Sequence, residues 1–310
     1  MKKIFIDGKA GTTGLRIEER LSFRDDIEII SLPEDKRKDT EARREMLNRA
    51  DIAFLCLPDA AAKEAVAMIE NPNTVIIDTS TAHRTDPTFA YGFPELSAEH
   101  RERIKNSKRI AVPGCHAGGF IALVYPLVKA GIISDEALLT CHSITGYSGG
   151  GKSMISEYEL DERNELLTAP RQYGLGQSHK HLPEMMAVTG VKNAPVFCPI
   201  VSSFFSGMEV TVPIHSSWLA DGRTVEDIKE TYRKAYTSPI VFYKEGADEG
   251  GFLSAGAYSG KDSMEISVFG NEERILLVAR YDNLGKGASG AAVECLNIVL
   301  GVGDTKNLEI

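Results

Sequence analysis

Short apolar runs alternate with longer amphipathic stretches through the first third of the chain. Lys3-Ile-Phe-Ile-Asp7 reads as a strand, a glycine-rich turn follows, and Thr13–Leu21 carries a helical period before a second strand at Ile27-Glu-Ile-Ile-Ser31. Glu41–Asn48 reads as a helix, Ile52–Leu57 as a buried strand, Ala60–Ile69 as a helix and Thr74–Asp78 as a strand. Strands and helices alternating at this spacing predict an α/β fold with a parallel sheet covered on both faces. Beyond it, Phe120–Lys129 predicts a helix stopping near Gly131, with Pro126 a candidate kink. Val196–Val201, Met208–Ile214, Glu265–Phe269 and Arg274–Arg280 read as strands, too many for a helical domain. The small-residue stretch Gly287–Leu300 predicts a helix packed back on the first domain. The expected organisation is a first domain over 1–114 completed by a C-terminal helix within 287–310, and a second, α/β domain over 115–286.

Composition narrows the function classes. At 310 residues, 43% hydrophobic and 25% charged, the chain has the makeup of a soluble globular protein of about two domains. No apolar run approaches the roughly 20 residues of a membrane span, and the start turns acidic and glycine-rich too soon for a signal peptide, so a cytoplasmic protein is expected. The net charge of -9 argues against nucleic acid or an anionic membrane as partner, while leaving room for a local basic pocket. Five single cysteines with no C-x-x-C pair suggest neither a disulfide framework nor a metal site. Small-molecule chemistry is the default.

Gly8-Lys-Ala-Gly11-Thr12-Thr13-Gly14 joins the first strand to the first helix. Glycines there let the backbone approach a pyrophosphate, and free N–H groups at the helix start face its charge; the competing reading is a plain turn. Pro58, after the strand at 52–57, would border the same crevice. The second strand ends at Ser31 with no acidic residue to hold a ribose 2'-hydroxyl, and Lys36-Arg37-Lys38 follows. That predicts a 2'-phosphate and so NADP over NAD, unless the cations are merely a solvated loop.

Val112-Pro-Gly-Cys115-His-Ala-Gly-Gly-Phe120 sets a thiol at a helix start, where unpaired N–H groups and the dipole favour the thiolate. Cys56, Cys198 and Cys295 lie in or beside apolar stretches and read as structural; Cys141 is undecided. A base is sought in Tyr173-Gly-Leu-Gly-Gln-Ser-His179-Lys-His181-Leu-Pro-Glu184. There Glu184 could orient the His181 imidazole, with His179 contacting substrate and His116 competing by adjacency to Cys115.

These segments, with Ile76–Arg84, Tyr91–Leu96, Thr145–Gly151 and Asp282–Gly290, resemble the shorter form of the N-acetyl-gamma-glutamyl-phosphate reductase family over essentially the whole chain. The resemblance implies a Rossmann-type NADP domain, a catalytic domain of the glyceraldehyde-phosphate-dehydrogenase type, a role in arginine biosynthesis, and a homo-oligomer, a tetramer. It implies Cys115 as nucleophile, with Tyr173, His179, His181 and Glu184 lining the active site and Asn283 among the cofactor contacts. It departs from the family pattern at His116, where an aromatic is more usual, and at Ser206-Gly207, where longer members carry Arg-Gly. The implied chemistry is a thioester on Cys115 formed from an acyl phosphate and reduced by NADPH, with a helix-end N–H or an imidazolium facing the oxyanion. Arg84, Lys152 and Arg171 are candidates for the substrate's anionic groups, each equally readable as a surface residue. The rivals are an aspartyl or aminoadipyl acyl-phosphate reductase, a nucleotide-sensing protein with no use for Cys115, and a cysteine hydrolase with no use for the glycine turn.

Overall fold

The computed structural model describes all 310 residues, which fall into two compact units: Met1–Pro94, Ala98–Gly114 and Ala288–Leu308 form the first, Glu95–Ser97, Cys115–Gly287 and Glu309–Ile310 the second. The first runs β1 (Lys2–Asp7), α1 (Thr12–Leu21), β2 (Ile27–Ile30), α2 (Thr40–Arg49), β3 (Ile52–Leu55), α3 (Asp59–Met68), β4 (Val75–Asp78), β5 (Ala90–Tyr91), α4 (Ala98–Asn106) and β6 (Arg109–Ala111). All its strands pair in parallel, in the order β2-β1-β3-β4-β6-β5. Because both faces are covered, β3 and β4 are buried at every position and their residues divide alternately between two cores. Ile52 and Phe54 join Ile4, Ile17 and Leu296 on one side; Ala53 and Leu55 join Phe5, Leu47 and Ala65 on the other.

In the second unit come α5 (Cys115–Lys129), β7 (Thr140–Gly146), α6 (Gly151–Tyr158), β8 (Arg171–Gln172), α7 (Leu182–Thr189), β9 (Val196–Ser202), β10 (Met208–His215), α8 (Val225–Ala235), β11 (Val241–Tyr243), β12 (Met264–Gly270) and β13 (Arg274–Tyr281). These strands form one mixed sheet, β11-β12-β13-β10-β7-β9-β8. Along β10 buried and half-buried residues alternate, so one face packs on the helices and the other stays open. Thr211 and Pro213, with Ile144 of β7, Ile200 of β9 and Leu276 of β13, fall on that open face by register. Cys198 lies there too, only half-buried, which corrects the expectation of a core cysteine.

Helix α5 is buried from His116 to Leu127. It continues through Pro126, whose missing N–H leaves the Ala122 carbonyl without its helical donor; the Tyr236 hydroxyl donates to that carbonyl instead, at 2.6 Å. Tyr232 donates to the next carbonyl, Leu123 O, at 2.5 Å. The last helix, α9 (Gly290–Leu300), starts three residues later than its composition suggests, after a π-turn at Gly285–Ser289. The cause lies upstream: the Asp282 carboxylate takes the Leu284 and Gly285 N–H groups, and Gly287 N donates to Asp282 O at 3.0 Å. No helix is long and apolar enough to cross a membrane.

Candidate active site

The strand order of the first unit reverses between β1 and β3, and the glycine turn follows β1 at that switch point. Its three glycines differ in kind. Gly8 has φ +82° and its missing Cβ would lie 2.3 Å from Cys56 O; a Cβ on Gly14 would lie 2.7 Å from Lys9 Cα. Both are required by the close turn itself. At Gly11 the nearest neighbour would be 3.5 Å away, so its backbone is open to an incoming group. Gly11 begins α1 with no side-chain cap and no acidic residue in the first turn, and the buried Thr12 Oγ1 has no hydrogen-bond partner. Uncapped N–H groups, an unmatched hydroxyl and an open glycine fit a pyrophosphate. Behind the turn the buried Asp7 carboxylate is neutralised by Arg43 of α2, with Nη2 to Oδ2 at 2.8 Å. Sequence pattern alone had no means of pairing these two.

Ser31, Lys36, Arg37 and Lys38 are exposed after β2, and Pro58 is exposed at the start of α3. Arg37 pairs with Glu34 at 2.7 Å. Arg84 is half-buried in the first unit, where its guanidinium donates to Val112 O and Thr79 O, both at 2.9 Å. It therefore ties the ends of β4 and β6, a structural use the sequence did not reveal. Asn283, expected at the cofactor, is buried in the second unit with both ends of its amide engaged. Gly207 N donates to its Oδ1 at 2.9 Å and its Nδ2 donates to Ser148 Oγ at 3.0 Å. The amide thus joins two loops.

Cys115 is the first residue of α5 and is partly exposed, unlike Cys141 and Cys295. Burial raises the Cys56 thiol to about 12 and the Cys141 thiol further, which keeps both protonated and inert. Beside α5 the loop 173–181 gathers the candidate histidines. It is held to β9 by the Gln177 side chain, which donates to Phe197 O at 2.7 Å and accepts from Phe197 N at 2.9 Å. The rings of His116, His179 and His181 lie 4.7 to 5.9 Å apart, centroid to centroid, with Tyr173 6.0 Å from both His116 and His179. His181 caps α7, and Glu184 is buried in that helix's first turn. The His179 Nδ1 accepts from His181 N at 3.2 Å, so its proton sits on Nε2, and burial lowers its pKa.

His116, a rival by adjacency, is the hub of this cluster but not as a cation. Burial lowers its pKa to about 3. Its Nδ1 lies 2.6 Å from Ser143 Oγ and its Nε2 2.6 Å from the Tyr173 hydroxyl. Ser143 is fully buried and has no other partner, so a hydroxyl that merely accepted would leave its proton orphaned at a cost of about 1–3 kcal/mol. Ser143 therefore donates to Nδ1, His116 donates from Nε2 to the Tyr173 oxygen, and the Tyr173 proton is left to donate outward. The Tyr173 phenol interacts electrostatically with Cys115, and burial raises its pKa.

Arg171 is half-buried and lies over the Tyr158 ring, donating to its hydroxyl at 2.9 Å; Lys152 is exposed in the first turn of α6. Ser206, in place of the longer members' arginine, hydrogen-bonds the Asp282 carboxylate at 2.8 Å and Ser259 at 2.7 Å, which makes that loop a structural joint. No group of three or more histidine, cysteine or acidic side chains is arranged to hold a metal ion.

Known proteins carry the same organisation. The semialdehyde dehydrogenase NAD binding domain matches residues 4–106, and the semialdehyde dehydrogenase dimerisation domain matches residues 115–283. Among solved structures, aspartate semialdehyde dehydrogenase from Francisella tularensis superposes with a TM-score of 0.73 at 15% identity, covering 97% of this chain and 100% of that one. The Vibrio cholerae aspartate semialdehyde dehydrogenase II complexed with ASA gives 0.72 at 16%, covering 97% and 98%. At such identities these likenesses speak for the fold. In sequence, the N-acetyl-gamma-glutamyl-phosphate reductase of Rhizobium meliloti (strain 1021) is 45% identical over 305 residues, 96% of this chain and 98% of that protein. The N-acetyl-gamma-glutamyl-phosphate reductase 2 of Nostoc sp. (strain PCC 7120) is 43% identical over 312 residues, 97% of each. With both domains matched in order and near-full-length relatives at this identity, the chain belongs to the N-acetyl-gamma-glutamyl-phosphate reductase family of semialdehyde dehydrogenases.

Proposed function

We propose that the protein reduces N-acetyl-gamma-glutamyl phosphate to N-acetyl-glutamate semialdehyde with release of phosphate, a step of arginine biosynthesis, using NADPH and a thioester on Cys115. The observation that carries this reading is a partly exposed thiol at the first position of a buried helix, beside a neutral histidine–tyrosine cluster, in a chain of this family. His181, oriented by Glu184, takes the thiol proton; the Cys115 sulfur attacks the acyl carbon, the carbon–oxygen bond to phosphate breaks, and the imidazolium returns the proton to the departing phosphate. When bound, NADPH supplies the hydride that reduces the thioester carbonyl. Tyr173 then hydrogen-bonds the thiohemiacetal oxyanion, which collapses to the aldehyde and releases the thiolate; the thiolate takes up a proton from solvent to begin the next turnover. Arg84, Lys152 and Arg171 are the proposed contacts for the substrate's anionic groups, and His179 a further contact to the substrate.

For the cofactor, the N–H groups of Gly11, Thr12, Thr13 and Gly14 would hold the pyrophosphate, with Gly8 shaping the turn and Pro58 at its side. Ser31 with Lys36, Arg37 and Lys38 would receive a 2'-phosphate, which favours NADP. Residues 1–114 with the C-terminal helix are thus the cofactor domain, and 115–286 the catalytic and oligomerisation domain. The open face of the sheet and the match to a dimerisation domain support assembly with further copies of the chain; the proposed assembly is a homotetramer and the proposed location the cytoplasm.

The test follows NADPH formation by absorbance, from N-acetyl-glutamate semialdehyde, phosphate and NADP, in wild type and Cys115→Ser. Phosphate-dependent turnover by the wild type and its loss in the variant are expected. Robust turnover by the variant, or activity that ignores phosphate, rejects the thioester; a better rate with aspartate semialdehyde rejects the acyl chain.

A further inference from the structure

The first turn of α5 carries a side chain from the far end of the sequence. Tyr281, the last residue of β13, donates its hydroxyl proton to Cys115 O and accepts from Gly119 N at 3.0 Å. Residues 115 and 119 are the i and i+4 partners that close the helix's opening turn, so one phenol is clamped onto both ends of that pair. Tyr281 is itself fixed. It is fully buried and paired in register with Met208 of β10 and Met264 of β12. The Asp282 carboxylate next to it holds four loop groups. Burial raises its pKa well above the ordinary phenol value, so it keeps a proton to donate across the working range.

Two glycines make room for this grip. A Cβ on Gly119 would lie 2.5 Å from the Tyr281 hydroxyl, so only glycine lets the phenol reach the helix backbone. A Cβ on Gly287 would lie 3.0 Å from Asp282 O, 3.2 Å from Cys115 Cβ and 3.4 Å from Tyr281 Cε2, so the chain after β13 passes directly against the Cys115 side chain. Cys115 stands first in the helix, and the segment 281–287 restrains it from outside through the Tyr281 hydroxyl on its carbonyl and the Gly287 main chain against its side chain.

We propose that Tyr281 is a positioning residue for the nucleophile: its hydroxyl, clamped across Cys115 O and Gly119 N, fixes the main chain beneath Cys115 and so aims the sulfur. The proposal rests on Cys115 being the nucleophile. Its reactivity follows from geometry: a reacting atom displaced by about 1 Å can cost on the order of a hundredfold in rate.

The test is Tyr281→Phe, which removes one oxygen and keeps the ring, with Gly287→Ala as a second variant that keeps the hydroxyl and presses a methyl between Cys115 and the ring. For each, steady-state kinetics and the rate of Cys115 alkylation by iodoacetamide against pH are measured. In both variants kcat should fall at least about tenfold while KM for aldehyde and for NADP stays within about threefold, and the alkylation profile should shift. Wild-type kcat with a superimposed alkylation profile in Tyr281→Phe overturns the proposal, and so does a loss confined to KM. If Tyr281→Phe does not fold, wild-type kcat in Gly287→Ala overturns it. Cys115→Ser separates the two readings: if that variant turns over, the thioester and this proposal fall together, whereas an inactive Cys115→Ser beside a fully active Tyr281→Phe removes the positioning role alone.

Discussion

A buried imidazole held neutral should leave a signature in the pH dependence of stability. His116 titrates at about 3 in the folded chain against 6.5 for an ordinary histidine. Its folded pKa is depressed, so between those values the unfolded chain binds the proton and the folded chain does not; stability rises with pH and is lost as pH falls through 6.5 toward about 3. Between about pH 7 and about pH 5, the linkage relation gives about 2 kcal/mol lost through this one residue. The perturbation that isolates it is His116→Phe combined with Ser143→Ala. Replacing both hydrogen-bonded partners by apolar groups avoids the orphaned Ser143 hydroxyl a single change would leave, and phenylalanine keeps an aromatic ring against Phe197 and His179. Urea unfolding of both proteins at the two pH values, at one protein concentration, should show the wild type losing about 2 kcal/mol more than the variant on acidification. Groups common to the two proteins cancel in this comparison. Parallel losses, within about 0.5 kcal/mol, would mean His116 carries its proton in the folded state. A protonated His116 would donate from both ring nitrogens, so its hydrogen bond with Ser143 would run in the opposite sense while its bond to the Tyr173 oxygen would keep its direction.

Two further outcomes test other parts of the molecule. Replacing Lys36, Arg37 and Lys38 together by glutamine should raise KM for NADPH about tenfold or more and leave KM for NADH within about twofold, because only the former carries the 2'-phosphate; equal effects on both would sink the cofactor preference. In the second unit, Arg280 is 2% exposed and donates to Glu265 Oε1 at 2.8 Å and to Ala247 O at 2.7 Å. Arg280→Met would leave the fully buried Glu265 carboxylate without its guanidinium, an expected loss of about 3–5 kcal/mol in urea unfolding, and a loss below about 1 kcal/mol would refute the pairing argument.

The sequence was legible where one interaction repeats along it. Strands β1 to β4 and helices α1 to α3 appear in the pattern because each buries a periodic apolar face, and their ends were read to within about two residues. Strand β7 escaped: Thr140-Cys-His-Ser-Ile-Thr-Gly146 mixes polar and apolar residues on both faces, since Ser143 points into the core to meet His116 while Ile144 lies on the open face. Without β7 there was no way to see that His116 had a buried hydroxyl partner. The glycine turn was visible as a motif, but the distinction between Gly11 and its two constrained neighbours depends on the backbone of Cys56 and Lys9, which no spacing records. Asn283, Arg84 and Arg171 mark the same limit from the other side. Their hydrogen-bond partners, Gly207 and Ser148, Thr79 and Val112, and Tyr158, are not recorded by any spacing in the sequence.

What governs Cys115 is in large part non-local. Its helix is uniformly apolar and would be stable in many settings, so burial alone does not say where its first residue points. The orientation is set by hydroxyls from elsewhere: Tyr232 and Tyr236 on the carbonyls around Pro126, 109 and 114 residues away along the chain, and Tyr281 on the opening turn, 166 residues away. Tyrosine suits this task because its ring fills core volume while its hydroxyl reaches a main-chain group at a defined distance. A helix held at its start by a sheet strand and at its middle by α8 and the residue that follows it has little freedom to rotate about its axis, and a rotation is what would turn the thiol. The setting of the proposed nucleophile is therefore a property of the packed second unit as a whole, and substitutions at Tyr232 or Tyr236, which hold α5 by its carbonyls, should act on it only by loosening α5.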